Sequence, residues 1–229
     1  MRADNISQLI GNTDLLKLES LSKLTGSDIY IKCEYQNPGG SIKDRAAIQM
    51  VLDAIKKGEL KPGMTIVEGT AGNTGIGLAL VAKALGYGIK VVMPKGQTIE
   101  KERMIGLHGG DLHLVPPCPF KDPNHFYHTA RRMAEENEQF WWANQFENLS
   151  NYRAHYLKTG PEIWQQTEQG IDVLVSVCSF KIRGSKGCRR PKIKNHKGIH
   201  TLIVTTEVLS YIAQYRARIC WRVNFRIVL

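Results

Sequence analysis

Apolar residues in the first 177 positions follow two alternating patterns. Short apolar runs typical of strands lie at 28–36, 64–70, 89–94, 111–117 and 171–177. Between them, apolar residues recur every three or four positions, which is typical of amphipathic helices. Such helical patterns lie after Ser41, over 74–86, from about Thr98 and over about 124–138. The segment 141–146 then leads into further helical segments that run through about 169. Apolar strands that alternate with helices predict an α/β fold, with parallel sheets covered by helices on both faces.

The first of these helices has a lysine close to its start, in the segment NPGGSIKDRAA (37–47). Ser41 is predicted to cap the helix, and Asp44 three residues later completes a pattern like a capping box. Lys43 then lies in the first turn, where the helix dipole disfavours a positive charge. A neutral amine there is a candidate Schiff-base nucleophile, although a lone lysine is more often a solvated surface residue.

A glycine-rich turn joins a strand to a helix in VEGTAGNTGIGLALVAKALG (67–86). The dinucleotide fingerprint does not fit, because Leu80 stands where its last glycine belongs and no acid occurs from 69 to 99. The Gly-Lys-Ser/Thr of a P-loop is also absent. The hydroxyl and amide side chains around the glycines suit a small carboxylate, and backbone N–H groups at a helix start bind anions. The alternative is a plain turn that uses Gly and Asn for positive φ.

The positive charge is confined to one end of the chain. The net charge is +10, yet residues 181–229 hold 12 Lys and Arg against a single acid, Glu207. This break predicts a boundary near 178–181, with one region over 1–177 and a basic tail over 178–229. The tail is predicted to be disordered or to cover part of a sheet. A lone basic run is weak evidence for nucleic-acid binding, so no nucleic-acid partner is expected.

Other composition features exclude several classes of protein. No run of about 18 apolar residues predicts a membrane span, and the first residues lack the apolar core of a signal peptide. The five cysteines are widely spaced, and no Cys/His cluster has the spacing of metal ligands. A cytoplasmic protein without a metal site is therefore expected.

Four motifs together resemble a known family. NPGGSIKDRAA, EGTAGNTGIGLALVA, WANQFEN and TGPEIW occur in family order over residues of about 8–177. They closely resemble the fold-type II pyridoxal-phosphate enzymes, whose fold is like that of the tryptophan synthase β subunit. Within these enzymes the chain is similar to cysteine synthase (O-acetylserine sulfhydrylase) and, next, to cystathionine β-synthase. The resemblance implies pyridoxal 5'-phosphate as the cofactor.

The resemblance also implies roles for individual residues. Lys43 would hold the cofactor as an internal aldimine and act as the general base, and Asn73 would hydrogen-bond the ring oxygen. The substrate carboxylate would meet a loop on one side and Gln145 on the facing side. That loop consists of Thr70, Ala71, Gly72, Asn73 and Thr74. Ala71 stands where many family members carry serine, so one hydroxyl contact is absent.

The implied reaction is a β-replacement that makes L-cysteine from O-acetylserine and sulfide through an aminoacrylate, in a homodimer. Two alternatives stay open: a lyase that uses serine and homocysteine, and an inactive truncated homologue that acts as a binding partner.

The resemblance ends near Val177. The family's phosphate-binding loop and its later segments have no counterpart in 178–229, as expected from a shifted reading frame or another replacement. We therefore expect a C-terminally incomplete family domain with weak cofactor binding, little turnover and poor solubility.

Overall fold

The structure is a computed structural model that describes residues 2–170 and the strand backbones at 173–176, 202–203 and 226–228. The strands are β1 (Leu15–Lys17), β2 (Asp28–Lys32), β3 (Thr65–Gly69), β4 (Gly88–Pro94), β5 (Asp111–Val115), β6 (Phe140–Trp142), β7 (Val173–Ser176), β8 (Leu202–Ile203) and β9 (Arg226–Val228). The α-helices are α1 (Glu19–Thr25), α2 (Lys43–Lys57), α3 (Asn73–Leu85), α4 (Ile99–Leu107), α5 (Phe126–Glu135), α6 (Leu149–Ala154) and α7 (Gly160–Gln166). Short 3-10 turns cover Ile6–Leu9 and Glu34–Gln36, and a π-helical segment covers His155–Thr159.

The chain divides into two compact units. The first unit combines Met1–Asn12 with Glu34–Thr159, and the second combines Thr13–Cys33 with Gly160–Leu229. The first unit contains a four-stranded sheet in the order β5-β4-β3-β6, and all its neighbouring strands are parallel. The predicted α/β fold with a parallel sheet is therefore confirmed.

Helices cover both faces of this sheet, and the alternation of side chains along the strands explains why. Ile66 of β3 and Val91 of β4 join the large apolar cluster that contains α2 and α3. The next residues along each strand, Val67 and Val92, join a smaller cluster on the other face with Ala130 of α5. Successive residues of a strand point to opposite faces, so a strand buried on both faces needs an unbroken apolar run.

The second unit contains a mixed sheet in the order β1-β2-β9-β7-β8. β1 runs antiparallel to β2, whereas β9 pairs in parallel with both β2 and β7. Within this unit the buried Lys32 forms an ion pair of 3.0 Å with Glu162 of α7.

The sequence predicted most of these elements within a few residues. The strand predicted over 28–36 ends at Lys32, and a 3-10 turn follows at Glu34–Gln36. The strands β1, β6, β8 and β9 and the helix α1 were not predicted as elements. The predictions of a disordered arm and a shifted frame concern 178–229, which lies outside the described residues except for β8 and β9. No helix in the described part of the chain is long and apolar enough to cross a membrane.

Candidate active site

Lys43 is the first residue of α2, as the sequence predicted, and its side chain is half-buried. The predicted cap is wrong in detail, because the helix starts one residue later than a Ser41 cap requires. Ile42 occupies the N-cap position without a side-chain cap. The Ser41 hydroxyl instead accepts a hydrogen bond from the Lys43 N–H at 3.2 Å. Asp44 does not complete a capping box with Ser41, since its carboxylate accepts from the Gly39 N–H at 2.5 Å.

Asp44 packs the start of α2 against α3. A Cβ atom at Gly77 of α3 would lie 2.9 Å from Asp44 Oδ1 and 3.2 Å from the Asp44 backbone N, so the two helices meet at a glycine. Gly77 and Asn73 are four residues apart and share one face of α3. Asn73 therefore lies one turn of α3 away from the contact between Gly77 and Asp44, and Asp44 is the residue next to Lys43. The geometry brings the Lys43 and Asn73 positions to the same end of two packed helices.

The Asp44 carboxyl is fully buried, and its Oδ1 has no hydrogen-bond partner among the described residues. Burial raises the pKa of this carboxyl to about 6. The Gly39 N–H opposes that rise in pKa, and the negative charge of Glu34 adds to it.

A buried ion pair between Arg45 and Glu34 fixes the chain that precedes Gly39 and Gly40. Arg45 Nε donates to Glu34 Oε2 at 2.7 Å and its Nη2 donates to Glu34 Oε1 at 2.9 Å. Asn37 donates to Glu34 and accepts from the Gly11 N–H at 2.8 Å. Two parallel hydrogen bonds to a carboxylate fix geometry as well as charge. The segment that leads to Lys43 is thereby held at both ends.

His155 is a neighbour of Lys43 that the sequence reasoning missed. Its Nδ1 lies 3.1 Å from the Thr159 hydroxyl, within the π-helical segment that follows α6. Burial, followed by the positive charges of Lys43 and Arg45, lowers the pKa of the imidazole to about 4. His155 is therefore neutral near pH 7. The π-helical segment marks His155 as a candidate site residue, because π-helical turns are frequent at functional sites. This mark is visible only in the structure.

The predicted carboxylate loop leaves the end of β3. The Thr70 N–H donates to the Val92 carbonyl, and the Gly72 N–H donates to the Thr70 hydroxyl at 3.2 Å. Thr70 and Thr74 are buried, whereas Ala71 and Asn73 are exposed. Gly72 has a φ of 158°, and a Cβ there would lie 2.7 Å from Cδ of Lys101 in α4. The aliphatic part of the Lys101 side chain thus covers Gly72, a contact that no sequence motif indicated.

Gln145 follows the end of β6 and meets the loop, because β3 and β6 are parallel neighbours. The Thr74 hydroxyl donates to Gln145 Oε1 at 2.5 Å. Gln145 Nε2 donates to Glu68 Oε1 at 3.0 Å and to the Gly69 carbonyl at 3.3 Å. The structure therefore joins two predicted site residues, Thr74 and Gln145, in one buried network.

Glu68 is the second residue that the sequence reasoning missed. It is fully buried in β3, and burial raises the pKa of its carboxyl to about 8 against the opposing effect of the Gln145 and Asn144 N–H groups. The signal was present in MTIVEGT, where a single acid interrupts an apolar strand. Acids are almost never fully buried unless they are paired, so this one indicates a special site.

The arrangement can hold a small anionic molecule at the carboxyl end of a parallel sheet, which is the usual position of ligand sites in open α/β folds. It offers a half-buried amine, an exposed amide, and the N–H groups at the start of α3. No group of three or more His, Cys, Asp or Glu residues with metal-binding potential occurs in the part of the chain that the structure describes.

Comparison with known proteins gives a family match. Residues 6–182 match the model of the family described as "Pyridoxal-phosphate dependent enzyme". Cysteine synthase 1 of Emericella nidulans is 50% identical over 182 residues, which are 80% of this chain and 49% of that protein. A cysteine synthase of Staphylococcus aureus is 44% identical over 165 residues, which are 72% of this chain and 52% of that protein.

Solved structures agree. A hydrogen sulfide-producing enzyme from Fusobacterium nucleatum has a TM-score of 0.72 and 32% identity, over 78% of this chain and 57% of that chain. An O-ureido-L-serine synthase has a TM-score of 0.71 and 37% identity, over 77% of this chain and 55% of that chain. The chain spans about half the length of the curated relatives it matches.

Proposed function

Because the chain belongs to the pyridoxal-phosphate dependent enzyme family, we propose that it carries the cofactor-attachment half of a β-replacement site like that of cysteine synthase. Pyridoxal phosphate is the family's cofactor. The single observation that carries the proposal is the junction of α2 and α3. There Lys43 begins one helix, and its neighbour Asp44 packs on Gly77, one turn from Asn73 of the other helix.

The residues at this junction fit the cofactor. An aldehyde needs a primary amine, which Lys43 supplies, and a ring oxygen needs a donor, which the exposed Asn73 amide supplies. A flat ring also needs close approach to the backbone, and Gly77 lets the ends of the two helices meet where a Cβ would collide with Asp44. We assign Lys43 and Asn73 as the residues that hold the cofactor.

The remaining roles concern the substrate. When bound, the cofactor supplies an electron sink that stabilises negative charge at the substrate Cα. The Lys43 amine is the group that removes the Cα proton and returns it, since general bases act within hydrogen-bond reach of their proton. The N–H groups of 70–74 orient the substrate carboxylate, with Gln145 on the facing side. The Thr74 hydroxyl, which donates its one hydrogen to Gln145, holds the loop in shape. The proposed substrates are O-acetylserine and sulfide.

Wider parts of the proposal follow from the family. We propose that residues 1–177 act as the cofactor-dependent region in a cytoplasmic homodimer, and that 178–229, whose strands β8 and β9 pair within the second sheet, take no part in the reaction. The cysteine synthase relatives favour sulfide as the second substrate over homocysteine.

Reduction with borohydride in the presence of pyridoxal phosphate tests the assignment of Lys43. We expect a stable pyridoxyl label on the peptide that contains Lys43, since borohydride fixes a Schiff base to its lysine. Lys43→Ala should abolish the label, whereas Lys57→Ala at the other end of the same helix should leave it intact. A label spread over surface lysines, or one that survives Lys43→Ala, would contradict the proposal.

A further inference from the structure

Glu68 is a buried acid that the proposed reaction does not use. It lies on β3 between Val67 and Gly69, and along the strand it shares the face of Ile66. That face packs against α2 and α3, so the carboxyl points toward the helices that carry the site. Its oxygens accept from Gln145 Nε2 at 3.0 Å and from the Gln145 backbone N–H at 3.4 Å.

These contacts fix the orientation of the Gln145 side chain. The Gly69 carbonyl can only accept a hydrogen bond, so the amide NH2 of Gln145 must face Gly69 and Glu68. The amide oxygen must then face Thr74, whose hydroxyl donates to it at 2.5 Å. Glu68, Gln145 and Thr74 are all less than one-tenth exposed, so water does not compete for these bonds.

The backbone supports the same arrangement. Asn144, next to Gln145, has a φ of 48°, in the left-handed region that asparagine tolerates better than most residues. The Asn144 N–H also faces the Glu68 carboxyl, and Asn151 Nδ2 donates to the Gln145 carbonyl at 2.9 Å. The chain after β6 is thus held against Glu68 by hydrogen bonds from the backbone N–H groups of Asn144 and Gln145.

We propose that Glu68 is a positioning residue for the substrate-carboxylate site: by fixing the amide of Gln145, it fixes the Thr74 hydroxyl at the start of α3. The inference rests on the proposed function, which places the carboxylate at 70–74. Without an acceptor at position 68, the Gln145 NH2 keeps only its 3.3 Å hydrogen bond to the Gly69 carbonyl. The amide is then held less firmly, so the Thr74 hydroxyl loses a fixed acceptor and the loop loses one defined geometry.

Two substitutions separate this role from simple filling of the core. Glu68→Gln keeps an oxygen that can accept from Gln145, whereas Glu68→Leu keeps a similar volume without any acceptor. Exposed Glu138 provides the control substitution Glu138→Leu. L-serine is titrated into each chain without added cofactor, and NMR follows the backbone amides of Asn73 and Thr74.

We expect Glu68→Leu to raise the Kd for L-serine about fivefold, the effect of one net hydrogen bond, and Glu68→Gln to stay close to the unaltered chain. Equal Kd values in all chains would overturn the positioning role while leaving the carboxylate site in place. Equal losses in both Glu68 variants would also overturn it, because the acceptor would then not matter. If no chain shows serine-dependent shifts at this loop, the proposed carboxylate site fails and the inference fails with it.

A measurement on the unaltered chain covers the case in which Glu68→Leu does not fold. We expect the side-chain NH2 protons of Gln145 to exchange with solvent much more slowly than those of Gln139, which is exposed. Exchange as fast as that of Gln139 would overturn the proposed network.

Discussion

Single residues around Lys43 are tuned by burial more than by ion pairing. His155 is the clearest case, since the pKa of its imidazole is lowered to about 4 from an ordinary value of 6.5. Between these two values the unfolded chain binds a proton that the folded chain does not. The contribution of His155 to the free energy of unfolding therefore falls as the pH drops from about 6.5 toward 4, by up to about 1.4 kcal/mol per pH unit.

This gives a test by substitution. His155→Gln should remove that part of the acid sensitivity, because a glutamine side chain does not titrate. Urea unfolding near pH 7 and near pH 5 measures the difference, and His113→Gln at an exposed position is the control. An unchanged pH slope in His155→Gln would show that the imidazole titrates alike in the folded and the unfolded chain.

Glu68 predicts the opposite slope. Burial raises the pKa of its carboxyl to about 8 from 4.5, so between these values the folded chain holds a proton that the unfolded chain has lost. The contribution of Glu68 to the free energy of unfolding should fall as the pH rises through this interval, again by up to about 1.4 kcal/mol per pH unit. Glu68→Gln should remove this contribution, so the difference in free energy of unfolding between the variant and the unaltered chain should change between about pH 5 and pH 8, as measured by urea unfolding. A difference that does not change with pH would place the titration elsewhere.

Sequence reasoning located Lys43 in the first turn of its helix but named the wrong cap. Both outcomes have one cause: the spacing of apolar residues fixes the helix to within a residue, whereas a cap depends on the local backbone path. Glu68 was missed because its partners, Gln145 and Asn144, lie more than seventy residues away along the chain. His155 was missed for a similar reason, since Lys43 reaches it only through folding.

At the scale of elements, the contact between α2 and α3 decides the site. Gly77→Ala places a Cβ within 3.2 Å of the Asp44 backbone, which cannot move aside as a flexible side chain would. We expect a loss of about 1–3 kcal/mol in the free energy of unfolding, typical of overpacking, together with weaker labelling of Lys43.

Gly106→Ala is the matched control for this prediction. Gly106 lies inside α4, and nothing is within 4 Å of its added Cβ. That substitution should stabilise the chain by about 0.5–1 kcal/mol, because alanine favours helix over glycine. Thermal or urea unfolding of both variants provides the comparison, and a neutral Gly77→Ala would mean that the two helices can separate at little cost.

The elements themselves were predictable where they are long and periodic. α3 was predicted to end at Gly86, and Gly86 does cap it, with a φ of 79°. The short strands β8 and β9 were not predicted, because two or three residues carry no usable periodicity and strand pairing is decided by distant partners.

For the whole molecule, the main expectation concerns the family's second half. The chain matches about half the length of these curated relatives, and its match to the family ends at residue 182. A chimera that continues after Val177 with the corresponding segment of the Emericella nidulans cysteine synthase should make cysteine from O-acetylserine and sulfide faster than the chain itself. A cysteine assay measures this, and Lys43→Ala in the chimera should abolish the gain. A chimera no faster than the chain would contradict the proposed division of the site.

The placement of β9 between β2 and β7 also sets an order of events during synthesis on the ribosome. The first unit needs no residue beyond Thr159, so its parallel sheet and the Glu68–Gln145 hydrogen bond can form while the rest of the chain is still being translated. The second sheet brings together strands that start at Asp28 and end at Val228, so its middle strand emerges last. Pairings this distant are slow to form and leave strand edges open to other chains in the meantime. Nascent chains should therefore contain a folded first unit before β9 has been synthesised and the second sheet can be completed.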